Sequence, residues 1–258
     1  MGIRHRIRDL IGRTDYGVRV RDVRIGLGYI AVMLEDRRTG VAYTLNRGGH
    51  GGCEVFRGAR PLAGKTASEL VEFLESDATL EIALGLATAN ALVNSRPTHA
   101  LPGDVLDAVQ LEPSDTVAMI GYFGPLVAPL RSRVARLDIF EEDVGRASNL
   151  LGSGEAAERL PKAHAALISS TTIVNDTLDD LLDAAGKCRE VVLLGSTTPL
   201  LPAAFEGTPV TYLSGMTVDD PEGILQVVSE GGGTRQFKPF VTKWNVATRY
   251  GKQSAGAA

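Results

Sequence analysis

His50 and Cys53 stand three residues apart in HGGC, inside the glycine-dense stretch RGGHGGCEVFRGARPLAGK. Imidazole and thiolate together are a donor pair that soft metals favour. Two donors do not close a coordination sphere, so Glu54 or side chains from elsewhere would have to complete it. The same pair could form a thiol nucleophile and its base, but no third group to orient the base stands nearby. The plainer reading is a glycine-rich loop that happens to carry both residues. Acids suited to a hard metal lie further on: Glu141 in LDIFEED, and Asp219 and Asp220 in LSGMTVDDPEG. One of the two aspartates before Pro221 also suits a helix N-cap.

A second signal is a repeated phrase. VAMIGYFGPLVAP (117–129) and VLLGSTTPLLPAA (192–204) each run apolar into a glycine, Gly121 or Gly195, and then reach Pro125-Leu or Pro199-Leu. The expected structure is a buried strand, a glycine turn at its carboxyl end and a helix with proline at its first position. Both loops then open on one edge of a parallel sheet, the edge where open α/β sheets bind ligands. Helix N-termini there offer free N–H groups to an anion. Gly124 adds a second close-approach position, and Glu141 falls 20 residues after Gly121, where such domains keep an acid for a ribose hydroxyl. The full GxGxxG is missing. A good strand–turn–helix connection with no ligand explains the same letters. A third loop, SSTTIVNDT, places Ser170, Thr171, Thr172, Asn175, Asp176 and Thr177 beyond another apolar run. Asp176 or Thr177 suits an N-cap. The rest suit hydrogen bonding to a polar ligand.

Other reactive residues read more plainly. His5 lies on a basic helix, His99 in a linker, His164 before a strand, and Cys188 on the opposite sheet edge as a free or structural thiol. Lys65 precedes a helix, but GKT alone lacks the spacing of a P-loop. Arg235, Lys238 and Lys243 could hold an anion and Trp244 could stack on a ring, but a turn and last strand at the sheet edge is the simpler reading.

The elements that must position these residues divide at NSRPTHALPGD. Before it come a helix over Ile3–Ile11 and two-residue alternation in VRVRDVRIGLGYIAVMLED and GVAYTLN, with turns at Gly26–Gly28 and Arg38–Gly40. Helices over Thr66–Glu75, with Thr66 and Glu69 as a capping box, and over the Ala-rich Thr79–Val93 follow. After the boundary, apolar runs at Thr116–Gly121, Arg136–Phe140, Ala165–Ser169, Val191–Gly195 and Pro209–Leu213 alternate with helical segments at Pro125–Arg131, Thr177–Ala185, Pro199–Phe205 and Pro221–Glu230. That pattern predicts a parallel sheet of about five or six strands, covered on both faces. The expected fold class is an α+β domain, an antiparallel meander plus helices, over 1–100. A doubly wound α/β domain follows over 105–250, with a disordered tail over 251–258.

A net charge of −4 and 5% aromatic residues argue against phosphate-tracking or base-stacking nucleic-acid binders. No apolar run is long enough to span a membrane, and the amphipathic N-terminus lacks a secretory apolar core. Two distant cysteines make no disulfide framework. The expectation is a cytoplasmic protein with no nucleic-acid or membrane partner. Its ligand is a small molecule or metal, and a homodimer is open to it.

SSTTIVNDTLDDLL, VVLLGSTTPLLPAAFEG, VTYLSGMTVDDPEGILQVVSEGGG and the ATANAL helix segment together resemble the putative heavy-metal chelation family. The resemblance covers nearly the whole chain. It implies an N-terminal domain like that of enolase, a C-terminal Rossmann-like domain and a ligand site in the cleft between them. By matching motif it carries over Asn90, Gly121, Pro125, Thr172, Asn175, Thr177, Gly195, Pro199, Pro202 and Gly215. The candidate ligand-binding set is Asn90, Gly121, Gly124, Glu141, Thr172, Asn175, Gly195, Ser196 and Asp219, with His50 and Cys53 as candidate metal ligands. Two functions compete: binding a divalent metal or metal-chelating molecule in the cleft, or enzymatic action on a polar small molecule with a nucleotide or S-adenosylmethionine at the second domain. A dimeric scaffold with an inactive cleft is the third option.

Overall fold

The structure is a computed structural model that describes residues 1–13, 17–45, 60–95, 97, 100–142 and 150–248. Helix α1 (Ile3–Gly12) buries Ile3, Ile7 and Ile11 at four-residue spacing. Strands β1 (Val20–Ile25), β2 (Tyr29–Leu34) and β3 (Thr39–Tyr43) form the antiparallel meander. Helix α2 (Ala67–Val71) begins with the expected capping box, in which Thr66 and Glu69 exchange hydrogen bonds, and runs on as a 3-10 turn over Glu72–Glu75. Helix α3 (Thr79–Val93) is buried along nearly its whole length.

The turn expected at Arg38–Gly40 sits two to three residues earlier. Arg37 takes the left-handed conformation (φ 70°), and Gly40 lies inside β3. A Cβ on Gly40 would collide with Ala91 N and Ala87 O of α3. The glycine therefore serves close packing of helix on strand. Strand β2 is buried on both faces. Ile30, Val32 and Leu34 face the core shared with α3, whereas Ala31 and Met33 pack on Ile224, Leu225 and Val228 of α7, a helix of the C-terminal half.

The second sheet has eight strands: β4 (Leu101–Pro102), β5 (Thr116–Ile120), β6 (Arg136–Glu141), β7 (Leu151–Gly152), β8 (Ala165–Ser169), β9 (Glu190–Leu194), β10 (Tyr212–Val218) and β11 (Val241–Ala247). Their order is β4-β11-β10-β9-β8-β5-β6-β7. The strands from β10 to β7 are parallel, and β11 and β4 close one side antiparallel. The five apolar runs are its central strands. The three further strands are β4 and β7, two residues each and too short for any periodicity, and β11 in the segment expected to form the last strand. That strand is not at the edge, because β4 lies outside it.

Helices α4 (Gly124–Arg133), α5 (Ala156–Arg159), α6 (Leu178–Ala184), α7 (Pro221–Ser229) and α8 (Thr234–Phe237) accompany this sheet. Alternate residues of β5 separate the layers. Val117 and Met119 face Leu126 and Leu130 of α4, and Ala118 and Ile120 join the core that holds Leu178 and Leu182 of α6. That second core continues without a break into α1, α3 and the small sheet.

Candidate functional site

The topology places a switch point between β5 and β8. From β5 the chain crosses through α4 to β6 on one side, and it later returns to β8 and proceeds to β9 on the other. A crevice at the carboxyl ends of the strands is the expected consequence. Gly121 follows β5 with φ 88°, and Gly195 follows β9 with φ 132°, both in the region that favours glycine. A Cβ on Gly121 would stand 3.0 Å from Ser169 Cβ, and one on Gly195 2.8 Å from Ser170 Oγ. Both turns are thus pressed against the hydroxyl-rich end of β8.

The two copies of the repeated phrase adopt different backbones. The first forms the expected helix one residue early: α4 starts at Gly124, so Pro125 takes its second position and not its first. In the second no helix starts at Pro199. Thr197, Thr198, Pro199 and Leu200 are buried: Thr197 lies in a turn closed by Thr198 N donating to Gly195 O (3.1 Å), the chain then runs without helix, and a 3-10 turn begins only at Pro202. The reason lies on α3. Asn90 Nδ2 donates to Thr197 O (3.0 Å) and to Val41 O (2.9 Å). Asn94 Nδ2 donates to Thr198 O (3.0 Å), and Asn94 Oδ1 accepts from Leu200 N (2.7 Å). Thr197 Oγ1 accepts from Tyr43 N (2.9 Å). Two amides one helical turn apart thus supply partners to the buried backbone groups of a segment that is not helical. Asn94 was not expected from the sequence. Its signal is an i, i+4 amide pair at the C-terminal end of the Ala-rich α3, with Asn94 as the C-cap.

The edge is rich in hydroxyls. Ser169 Oγ and Thr171 Oγ1 are 2.8 Å apart. Thr172 Oγ1 donates to Ser169 O at 2.6 Å and is buried, so that hydroxyl is committed to the turn. Ser196 Oγ donates to Tyr29 Oη at 3.1 Å, and burial pushes the Tyr29 phenol up, holding it protonated. The Tyr29 ring meets Tyr43 and Phe237 edge-on, with centroids 5.3 and 4.9 Å away. Ser170 Oγ, Thr198 Oγ1 and Asn90 Oδ1 are buried with no hydrogen-bond partner among the described residues. Each is a polar group whose burial is costly without a partner.

Of the other candidates Glu141 stays beside the first turn, whereas Asn175 and Asp219 lie elsewhere. Glu141, at the end of β6, accepts Tyr122 N on Oε2 (3.0 Å) and Glu142 N on Oε1 (2.9 Å), fixing the loop after Gly121. Asn175 lies past the 3-10 turn Ser170–Ile173. It lines a cleft of about 140 Å³ with Arg4, Asp77, Thr79, Ile82, Val174 and Asp176, between the first helix, α3 and the loop after β8. Its Oδ1 accepts from Thr177 Oγ1 (2.7 Å). Arg4 bonds Asp176 there (2.9 Å). Neither Asp176 nor Thr177 caps α6 with its side chain. Asp219 stands apart: β10 pairs with β9 only as far as Ser214, then runs on roughly 16 Å to Asp219, which accepts from Thr242 Oγ1 (2.7 Å). Asp220 caps α7 by accepting Gly223 N (3.2 Å).

His50, Cys53, Glu54 and His99 lie outside the described residues, as does the tail over 251–258. Among the described residues no three His, Cys, Asp or Glu side chains converge as metal ligands. Cys188 is buried beside Ala163 O (3.4 Å), and burial pushes its thiol up to about 11. His164 Nδ1 accepts Thr116 N (2.9 Å), Lys65 pairs with Glu69 (3.4 Å), and Trp244 Nε1 donates to Thr217 Oγ1 (3.0 Å). Each is committed to structure. Among the described residues no helix is long and apolar enough to cross a membrane.

The fold and this edge define a mixed α+β protein: a small antiparallel sheet with helices, then a mostly parallel eight-stranded sheet whose carboxyl edge is held by the first part. A family profile described as putative heavy-metal chelation matches residues 104–247, and a second with the same description matches residues 7–93. The chain belongs to this family. An uncharacterised protein of Methanocaldococcus jannaschii is 27% identical over 258 residues, covering 95% of this chain and 96% of that protein. The crystal structure of a Pyrococcus horikoshii protein of unknown function superposes with a TM-score of 0.83 at 26% identity, over 95% of this chain and all of that one. One from Desulfitobacterium hafniense DCB-2 gives 0.77 at 20% identity, over 95% of this chain and 98% of that one.

Proposed function

We propose that this protein binds a metal ion or, more specifically, a small molecule that chelates one, where the first half of the chain closes over the carboxyl edge of the large sheet. The observation that carries the reading is the convergence of two left-handed glycines and a buried, unpartnered Ser170 hydroxyl at the switch point, roofed by Asn90 and Tyr29. Hydroxyl and amide side chains recognise the oxygens of a chelator better than they bind a bare cation. His50 and Cys53 are the soft donors that would engage the metal directly. The family description supports the same class of ligand.

The experiment is native mass spectrometry with elemental analysis of the freshly purified chain, followed by thermal-shift titration with Ni²⁺, Zn²⁺ and Fe³⁺, each alone and as its citrate complex. A ligand present at a hundred times its Kd adds about 2.7 kcal/mol of stability, a clear rise in Tm. The reading expects that rise with a metal or its citrate complex, and a smaller one in Ser170→Ala, each measured from its own ligand-free Tm at the same concentration. No metal and no shift with any probe would contradict it. A second reading, a nucleotide or S-adenosylmethionine enzyme, rests on Gly124 at the start of α4 and on Glu141 beside Gly121. An adenosine-type mass retained without metal would favour it.

A further inference from the structure

Among the described residues strand β1 is the outer strand of the small sheet, with β2 as its one strand partner. Gly26 N donates to Tyr29 O (2.8 Å), and the register continues through Arg24↔Ala31 and Asp22↔Met33. Antiparallel ladders alternate, so Asp22 and Arg24 turn their backbone groups toward β2, and Val23 and Ile25 turn theirs outward. Among the described residues nothing pairs with those outward groups. Val20, by contrast, is covered: its N–H donates to Lys65 O (2.9 Å) and its carbonyl accepts Gly64 N (2.8 Å). A β-bulge between Val20 and Asp22 separates the covered part from the open part. The open edge therefore starts after Val20 and ends at the Gly26 turn.

An open edge is a template for another strand. The sequence along it, Arg21-Asp22-Val23-Arg24-Ile25, is complementary in charge to its own reverse over Asp22–Arg24. An antiparallel copy centred on Val23 sets Asp22 opposite Arg24 of the partner subunit, and Arg24 opposite Asp22 of the partner subunit. Opposite charges directly across a strand pair are favourable. Within one chain Arg24 already bonds Asp22 at 2.7 and 2.8 Å, so the two pairs would merge into a four-membered network. The outward backbone groups of Val23 are the ones such a register pairs. Ile25 and Leu27, 42% and 79% exposed at the strand end and in the turn, would gain cover.

We infer that two copies of this chain associate through β1, antiparallel about Val23, joining their small sheets into one of six strands. This interface is independent of the ligand site at the large sheet. Sedimentation velocity of the full chain should show a dimer. Asp22→Arg sets base against base across the dyad, and Arg24→Glu sets acid against acid, so each variant alone should lose the dimer. An equimolar mixture of the two restores both attractive pairs and should recover it. In the parent, exchange of the Val23 and Ile25 amide hydrogens should be slow at high protein concentration and speed up on dilution, a readout that needs no variant to fold. A parent that stays monomeric at every concentration overturns the inference. So does a dimer that both charge variants retain, or fast exchange at Val23 and Ile25 in a dimeric sample.

Discussion

Replacing Asn94 with alanine probes the device that gives the second glycine loop its course. The amide is buried and serves three backbone groups: it donates to Thr198 O (3.0 Å) and Met216 O (3.3 Å) and accepts from Leu200 N (2.7 Å). Alanine leaves the Leu200 N–H and the Thr198 carbonyl buried without this partner. Each such group costs about 1–3 kcal/mol, giving about 2–6 kcal/mol for the two. In a protein of this size each kcal/mol shifts Tm by about 2–4 °C, so the centre of the range is a fall of roughly 8–16 °C. Asn94→Asp keeps an acceptor for Leu200 N but loses both donations and buries a charge, so it should be no more stable than Asn94→Ala. The assay is calorimetric unfolding, together with amide exchange at Leu200, whose protection should vanish in Asn94→Ala. A Tm within about 2 °C of the parent, with Leu200 still protected, would refute the claim that the amide holds this segment in its course.

Gly40→Ala should be more severe than a surface change, because its Cβ meets the α3 backbone; overpacking costs about 1–3 kcal/mol even where side chains can yield, and a Tm loss smaller than that implies would count against the close packing. Cys188 should resist iodoacetamide in the native chain: with its thiol near 11, about one molecule in a thousand is thiolate at pH 8, and stoichiometric labelling seen by mass spectrometry would contradict its burial. Asp36 is held below the ordinary aspartate range by hydrogen bonds from the Arg38 side chain and backbone N–H. Its folded pKa is depressed, so its contribution is present above the unfolded value and lost as pH falls through the folded one; Asp36→Asn should flatten the acid limb of a Tm–pH curve there.

Most of the fold was legible because its central strands are buried on both faces and read as apolar runs between helices. Glycines at the ends of β5 and β9 were legible as turns. The course after Gly195 was not, since local letters favour a helix after Pro199 and the competing hydrogen bonds come from Asn90 and Asn94, more than a hundred residues earlier. Gly40 read as a turn for a similar reason: the α3 backbone that needs its missing side chain lies some fifty residues further along the chain. Alternation in β2 was obscured because α7, from the far half, covers its second face. Thr172 was legible as a polar loop residue, but not that its hydroxyl would turn back to Ser169 O. Asp219 shared a sheet edge with the other candidates in the sequence reading. The length of β10 beyond its pairing with β9 takes it away from them.

The most direct test of the ligand site is anomalous diffraction from a crystal grown with the metal or metal–citrate complex that gives the largest thermal shift. A peak at the carboxyl ends of β5, β8 and β9, beside Gly121, Ser170 and Gly195, is the predicted result. A single ordered peak elsewhere on the molecule, with that crevice filled only by solvent, would contradict it.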